Sequence, residues 1–237
     1  MPLPQYQEEK IAVGMFDRGL LGFPEGGITL KSGRQSPYYY NMRGSLSFSR
    51  RLDREGVMSI ERQRNFRHAL AGGYAVRFSE IVQPIDHVFG KAQAATAPAA
   101  VAAYEAGLSY IWERIDEPSK TYGYHQKIEG DYEEGETILM ADDCVTDGAS
   151  KVEGSKVLEA VGLRPVAVTL QLDREEGGVQ TLENRYGFEV NSITTISRAA
   201  VFLLENRRIG NSHIEALAAY HEKLRADGMV STFRNLA

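Results

Sequence analysis

Apolar residues recur at helical spacing over residues 7–21, and the run stops at Gly22. Two short extended pieces follow, 28–30 and 37–41, on either side of the turn-forming Ser32 and Gly33, which predicts an N-terminal helix and a hairpin-like hood. From residue 81 the rhythm changes. Short apolar runs at 87–90, 108–113, 137–141 and 165–172 read as strands, and they alternate with helical stretches at 92–106 and 151–161. Strand, helix and strand in repetition predict a parallel sheet with right-handed crossovers. A further strand is expected at 189–196 and an amphipathic helix at 214–224.

Two segments break this pattern. Residues 49–78 are rich in arginine and carry Gly72 and Gly73, so a pair of solvated helices is expected there; interleaved acidic residues argue against a nucleic-acid arm. Residues 114–136 are polar, contain glycine and have no period, which is the character of a lid or binding loop in a compact domain. No internal repeat or low-complexity linker divides the chain. One domain over 1–237 is expected, with a hood over about 1–45, a core over about 80–200 and C-terminal helices to 237.

Across 237 residues, 43% hydrophobic and 25% charged composition suffices for one large α/β domain with a substantial core. The net charge of −5 argues against an extended nucleic-acid surface, so an anionic substrate must be held by local donors. The opening MPLPQYQEEK has no basic segment leading into an apolar core, and no apolar run reaches membrane-spanning length; a cytoplasmic protein with neither nucleic-acid nor membrane partner is expected. Cys144 is the one cysteine, which excludes an internal disulfide, and no Cys/His cluster near it suggests zinc. It reads as a small, half-buried packing residue.

Candidate chemistry concentrates in residues 137–150, TILMADDCVTDGAS. A run of buried-strand character leads into Asp142 and Asp143 and then into a small polar turn that opens a helix. That arrangement puts two carboxylates at the carboxyl end of a parallel strand, where open α/β sheets bind ligands. The backbone amides of Val145, Thr146, Asp147, Gly148, Ala149 and Ser150, with the helix N-terminus behind them, suit a phosphate, and Thr146 and Ser150 add hydroxyl donors. Asp142 and Asp143 would then face neighbouring sugar hydroxyls. Residues 148–156 lack the Gly-Lys-Ser/Thr ending of a Walker loop, and no Gly-x-Gly-x-x-Gly follows a strand. Taken alone, the same residues also fit an acidic turn that only caps a helix.

The segment ILMADDCVTDGAS resembles the phosphoribosyl pyrophosphate motif of the type I phosphoribosyltransferases. Three other stretches are similar to the orotate phosphoribosyltransferases within that group: ITLKSGRQSPYYYN at 28–41, LQLDREEGG at 170–178, and the loop 114–130 that ends in Ile-Glu-Gly. The resemblance runs from about residue 7 to about residue 225 with the motifs in the family's order. It implies an α/β type I phosphoribosyltransferase fold, a central, mostly parallel sheet flanked by helices under a small N-terminal hood. The activity it implies is magnesium-dependent transfer of ribose 5-phosphate from phosphoribosyl pyrophosphate (PRPP) to orotate.

The resemblance also implies roles. Asp142 and Asp143 hold the ribose hydroxyls, and residues 145–150 bind the 5-phosphate. Lys31 contacts the substrates from the hood, Tyr39 and Tyr40 lie beside the base, and Arg174 pairs with the orotate carboxylate. Lys120 and Arg114, from the mobile loop, stabilise the departing pyrophosphate. Mg2+ is carried mainly on substrate oxygens, with water-bridged contact at most to Asp142 or Asp143. In the family the loop crosses to the neighbouring subunit, which implies a homodimer with shared active sites.

Read without the family, residues 38–40 would more often be core strand tyrosines, and Arg174 would pair with Glu175 or Glu176. The chain also departs from the family pattern. Ile115 stands where a second loop lysine is usual and Tyr122 where histidine is usual; Gln93, Ala94 and Ala95 replace an aromatic, a lysine and a glycine in the pyrophosphate loop 89–98. Lys91 would restore charge in the pyrophosphate loop, His125 and Lys127 would compensate within the loop 114–130, and Asp147 is expected to turn its side chain outward. These departures keep two alternatives open: a sensor that binds PRPP or a nucleotide without turnover, and transfer to a different base. Arg174 and the KSGRQSP run argue against the second.

Overall fold

The computed structural model describes residues 3–30, 33–44, 60–91, 94–114 and 127–234. Six strands form the central sheet: β5 (His87–Gly90), β6 (Ser109–Glu113), β7 (Ile128–Glu129), β8 (Thr137–Val145), β9 (Arg164–Asp173) and β10 (Glu189–Thr195). Their order is β10-β9-β8-β5-β6-β7. All neighbours pair in parallel except β7, which runs antiparallel to β6 at one edge.

Helices cover both faces: α1 (Gln5–Asp17), α2 (Ile60–Ser79), α3 (Thr96–Ala106), α4 (Ala149–Glu159), α5 (Gly178–Tyr186), α6 (Ile196–Glu205) and α7 (Asn211–Ala226). Along β8, Ile138 and Met140 enter one core with Phe89, Leu158 and Val168, while Leu139 and Ala141 enter the other with Val88 and Ala167. Burial on both faces explains why this strand reads as continuous apolar sequence rather than as an alternation. The hood consists of two antiparallel pairs, β1 (Leu21–Gly22) with β4 (Tyr39–Tyr40) and β2 (Ile28–Thr29) with β3 (Gln35–Ser36). No helix among the described residues is long and apolar enough to cross a membrane.

Several elements differ from the sequence reading. The expected helix pair over 49–78 falls partly outside the described residues, and its second half is one uninterrupted helix, α2, that runs through Gly72 and Gly73. Packing explains the tolerance: a Cβ on Gly73 would stand 2.8 Å from Ile11 Cδ1 and 3.3 Å from Ile193 Cδ1, so the bare glycine lets α1 and β10 close on the helix. Strand β8 does not stop at Ala141 but continues through both aspartates to Val145, because Asp142, Cys144 and Val145 stay paired with Leu170, Leu172 and Asp173 of β9. The sequence reading missed α5, which is short and polar between Gly177 and Gly187. It also missed α6, whose apolar run follows β10 without a break; only the Thr195 hydroxyl, which accepts the Arg198 amide at 3.3 Å, marks the change.

Candidate active site

Both aspartates stand near the carboxyl end of β8, and the hydroxyls of two tyrosines, buried Tyr74 and half-buried Tyr40, meet their backbone carbonyls. Tyr74 donates its hydroxyl to the Asp142 carbonyl at 2.7 Å; Tyr40 lies 3.3 Å from the Asp143 carbonyl and 3.1 Å from Gln171 Oε1. The carboxylates have unequal surroundings. Asp142 is buried, with Oδ1 accepting the Asp143 amide at 2.8 Å and Oδ2 lying 2.7 Å from the Lys151 ammonium. Asp143 gives Oδ1 to the Cys144 amide at 2.8 Å, and its Oδ2 accepts no hydrogen bond among the described residues. Burial, reinforced by the negative charge of Asp142, pushes the Asp143 carboxyl up to about 6. Burial alone would lower the Lys151 ammonium, yet Asp142 outweighs it and holds the group above the ordinary lysine value.

The loop over residues 145–150 is held from behind. Val145 is buried, and Gly148 takes φ +86°, a left-handed turn that lets α4 begin immediately. Behind it, Gly178 at the start of α5 comes so close that a Cβ there would meet Val145 Cγ2 at 2.4 Å and the Thr146 carbonyl oxygen at 2.5 Å. Ala149 and Ser150 are exposed, as donors to a ligand must be. Asp147 is exposed as expected, but its carboxylate turns back and accepts the Ala149 amide at 3.0 Å, so one cradle amide is already occupied by an internal anion.

Two adjoining cavities, of about 270 and about 710 Å³, share Thr146 and Ser150 as a common wall. The smaller holds Asp142, Asp143, Lys91 and Arg43; the larger runs from Asp147 and Glu153 to Leu30 and Arg34 of the hood. Lys91 leaves the end of β5 with its ammonium 3.6 Å from Glu113, and its stem lies over Gly154, whose Cβ would stand 3.0 Å from Lys91 Cδ. A cleft at the carboxyl ends of β5 and β8 is where an open parallel sheet places a ligand.

Arg174 follows β9 and is 3% exposed. Its Nε donates to Glu176 Oε1 at 2.8 Å, Nη2 donates to Ser36 Oγ at 3.4 Å, and the guanidinium lies 4.4 Å above the Tyr38 ring. Arg34 of the hood approaches the same carboxylate from the other side, 3.1 Å from Oε2. The ion pair weighed from sequence is therefore present, with Glu176, and fully enclosed; Nη1 of Arg174 donates no hydrogen bond among the described residues. The three tyrosines divide by strand alternation: Tyr38 is fully buried, Tyr40 turns inward toward Asp143, and Tyr39 is 37% exposed.

Of the residues singled out from sequence, Asp142, Asp143, Lys91 and the 145–150 loop converge on the cleft, with Tyr40 beneath it. Arg114 does not: it closes β6 with Nη1 3.3 Å from Glu129 and lines neither cavity. Lys31, Lys120, Gln93, Ile115, Tyr122 and His125 lie outside the described residues. Lys151 and Tyr74 were missed. For Tyr74 a signal existed, since Phe66, Leu70, Tyr74 and Phe78 form a buried stripe at four-residue spacing along α2. For Lys151 none did, because a lysine in the first turn of a helix ordinarily faces water.

No protein-family model matches the chain. An orotate phosphoribosyltransferase of Thioalkalivibrio sulfidiphilus is 30% identical over 227 residues, covering 91% of this chain and 96% of that protein. In three dimensions the chain is similar to Leishmania donovani UMP synthase, with a TM-score of 0.72 and 23% identity over 91% of this chain and 42% of that one. It is also similar to the orotate phosphoribosyltransferase of Francisella tularensis, with a TM-score of 0.63 and 21% identity over 88% and 92%. A mostly parallel sheet with paired aspartates and a glycine-bearing turn at its carboxyl edge, a hood tied down through Arg174 and Glu176, and near-complete coverage at 30% identity together show that this chain belongs to the orotate phosphoribosyltransferase family.

Proposed function

We propose that the chain transfers ribose 5-phosphate from PRPP to orotate, releasing pyrophosphate and forming orotidine 5'-monophosphate for pyrimidine nucleotide synthesis. The observation that carries this reading is the pair of adjoining cavities, one with carboxylates for ribose hydroxyls and one with loop amides for a phosphate. In this reading the pair Asp142 and Asp143 forms the ribose side of the site, with Asp143 Oδ2 as its open acceptor, and Val145, Thr146, Asp147, Gly148, Ala149 and Ser150 bind the 5-phosphate. Nη1 of Arg174 is the donor left for the orotate carboxylate, with the Tyr39 ring and Lys31 at the hood side of the base.

The base nitrogen attacks C1 of the ribose and gives up its proton to the pyrophosphate or to solvent, while the bond from C1 to the pyrophosphate oxygen breaks and its electron pair leaves with pyrophosphate. Positive charge develops on the ring, so positioning and stabilisation of the leaving group dominate. Lys91 lies within the smaller cavity for this purpose, with Lys120 and Arg114 as loop contributors. Arg114 is held by Glu129 away from its own chain's cleft, which supports a twofold dimer in which each loop serves the neighbouring site. The location that fits this activity is the cytoplasm.

Among the described residues no group of three or more His, Cys, Asp or Glu side chains could hold a metal ion. In this reading Mg2+ enters on PRPP oxygens, with at most a water-bridged carboxylate beside it. When bound, the ion would neutralise charge on the departing pyrophosphate.

Purified protein with PRPP and magnesium is expected to consume orotate, measured as loss of its absorbance, and chelator should stop the reaction. Lys120→Ala should leave PRPP binding largely intact and lower turnover by roughly 10²–10³-fold, the size typical of removing one transition-state charge donor. PRPP binding without orotate loss would favour the second reading, a sensor without turnover, which the carboxylate of Asp147 on the phosphate-loop amide supports.

Asp147→Ala tests that carboxylate directly. Freeing the Ala149 amide and removing a negative charge beside the phosphate should lower the KM for PRPP about two- to fivefold, the range of an exposed charge interaction. The KM for orotate should not change.

A further inference from the structure

Lys151 occupies the first turn of α4, yet it is only 4% exposed. Its ammonium has three acceptors for three protons: Asp142 Oδ2 at 2.7 Å, Ser150 Oγ at 3.2 Å and the Cys144 carbonyl. A buried ammonium loses several kcal/mol of hydration, and such a full set of partners is what offsets that cost. The consequence for Asp142 is equally complete, since Lys151 takes one carboxylate oxygen and the Asp143 amide takes the other. Asp143 keeps Oδ2 available.

We propose that Lys151 is a built-in counter-cation of the aspartate pair, a positioning residue that withdraws Asp142 from substrate and metal and leaves Asp143 Oδ2 to receive the ribose hydroxyls. The ribose half of this assignment rests on the transferase reading; the counter-cation half does not. Two adjacent carboxylates in a buried cleft repel one another and attract a divalent ion. With Lys151 in place the trio carries a net charge of −1, which suits acceptance of hydroxyl hydrogens. It also removes the need for direct protein ligation of a metal.

The test is Mn2+ binding to the substrate-free protein at neutral pH, followed by electron paramagnetic resonance. Lys151→Met is expected to bind a single Mn2+ per chain at this pair, at least about tenfold more tightly than the wild-type chain does. Adding Asp143→Asn to Lys151→Met should abolish that binding. Should Lys151→Met fold poorly, the same prediction appears as a rise in its melting temperature on adding Mn2+, with the wild-type melting temperature unmoved. Equal Mn2+ affinity in both proteins, or Mn2+ that neither binds nor stabilises Lys151→Met, would overturn the proposal. PRPP binding by the wild type is measured alongside. Its absence together with the expected Mn2+ pattern would count against the transferase reading and leave the counter-cation role standing.

Discussion

Arg174→Ala is expected to lower folding stability by about 3–5 kcal/mol, the cost of leaving the partner of a buried ion pair without its counter-charge. Glu176 has no side-chain exposure and would keep Arg34 as its cationic partner among the described residues, while the Tyr38 ring would lose the guanidinium packed 4.4 Å above it. Because hood and core meet at this cluster, chemical denaturation should show the loss before any substrate is added. Alanine therefore cannot separate folding from recognition.

Arg174→Lys can, since it keeps the positive charge but loses the planar fork that matches a carboxylate. That variant should raise the KM for orotate about tenfold or more, roughly one charge-assisted hydrogen bond, and leave the KM for PRPP unchanged. Equal changes in both constants would remove Arg174 from the base subsite and assign it to the hood contact alone.

The second large effect is expected at Asp143. Asparagine still accepts the Cys144 amide, but it gives up the charged acceptor that faces the cleft. Loss of a hydrogen bond to a charged group, about 1.5–3 kcal/mol, should lower kcat/KM for PRPP about 10- to 100-fold. Stability should move the other way. The folded-state carboxyl is raised to about 6, above its unfolded value, by burial and by Asp142, so its stabilising contribution is full below the unfolded value and is lost as pH rises through about 6. At pH 7.5 the ionised side chain is therefore a burden that Asp143→Asn relieves, and the advantage should disappear at pH 4. Denaturation at both pH values checks this sign. In the kinetic profile, the wild-type kcat/KM for PRPP should fall as pH drops through about 6, and the variant should lack that limb. A variant with unchanged kcat/KM would place the ribose contact elsewhere.

Much of this was legible in the chain itself. The apolar run of β8, the aspartates that follow it and the small residues of the loop after it are local signals, because an apolar run and a glycine-bearing turn are patterns written within a few neighbouring residues. The same holds for β5, whose predicted span 87–90 coincides with His87–Gly90. Where tertiary partners outweighed local preference, the reading failed. Gly72 and Gly73 looked like a helix break, and α2 runs through them since the absent side chain at Gly73 is what admits Ile11 and Ile193. Ala141 looked like a strand end, and pairing with β9 carried the strand on to Val145.

The sequence by itself determined the fold class, the order of the motifs and the two carboxylates at the end of a parallel strand, since each follows from short-range pattern. Only the tertiary structure decided how charge is distributed around them. It brought Lys151 beneath Asp142, placed Glu176 between Arg34 and Arg174, turned Asp147 onto Ala149 and held Arg114 against Glu129. Charge pairing of this kind depends on distances between residues on different elements and on how far water is excluded from them. Neither quantity is written in the spacing of residues along a chain.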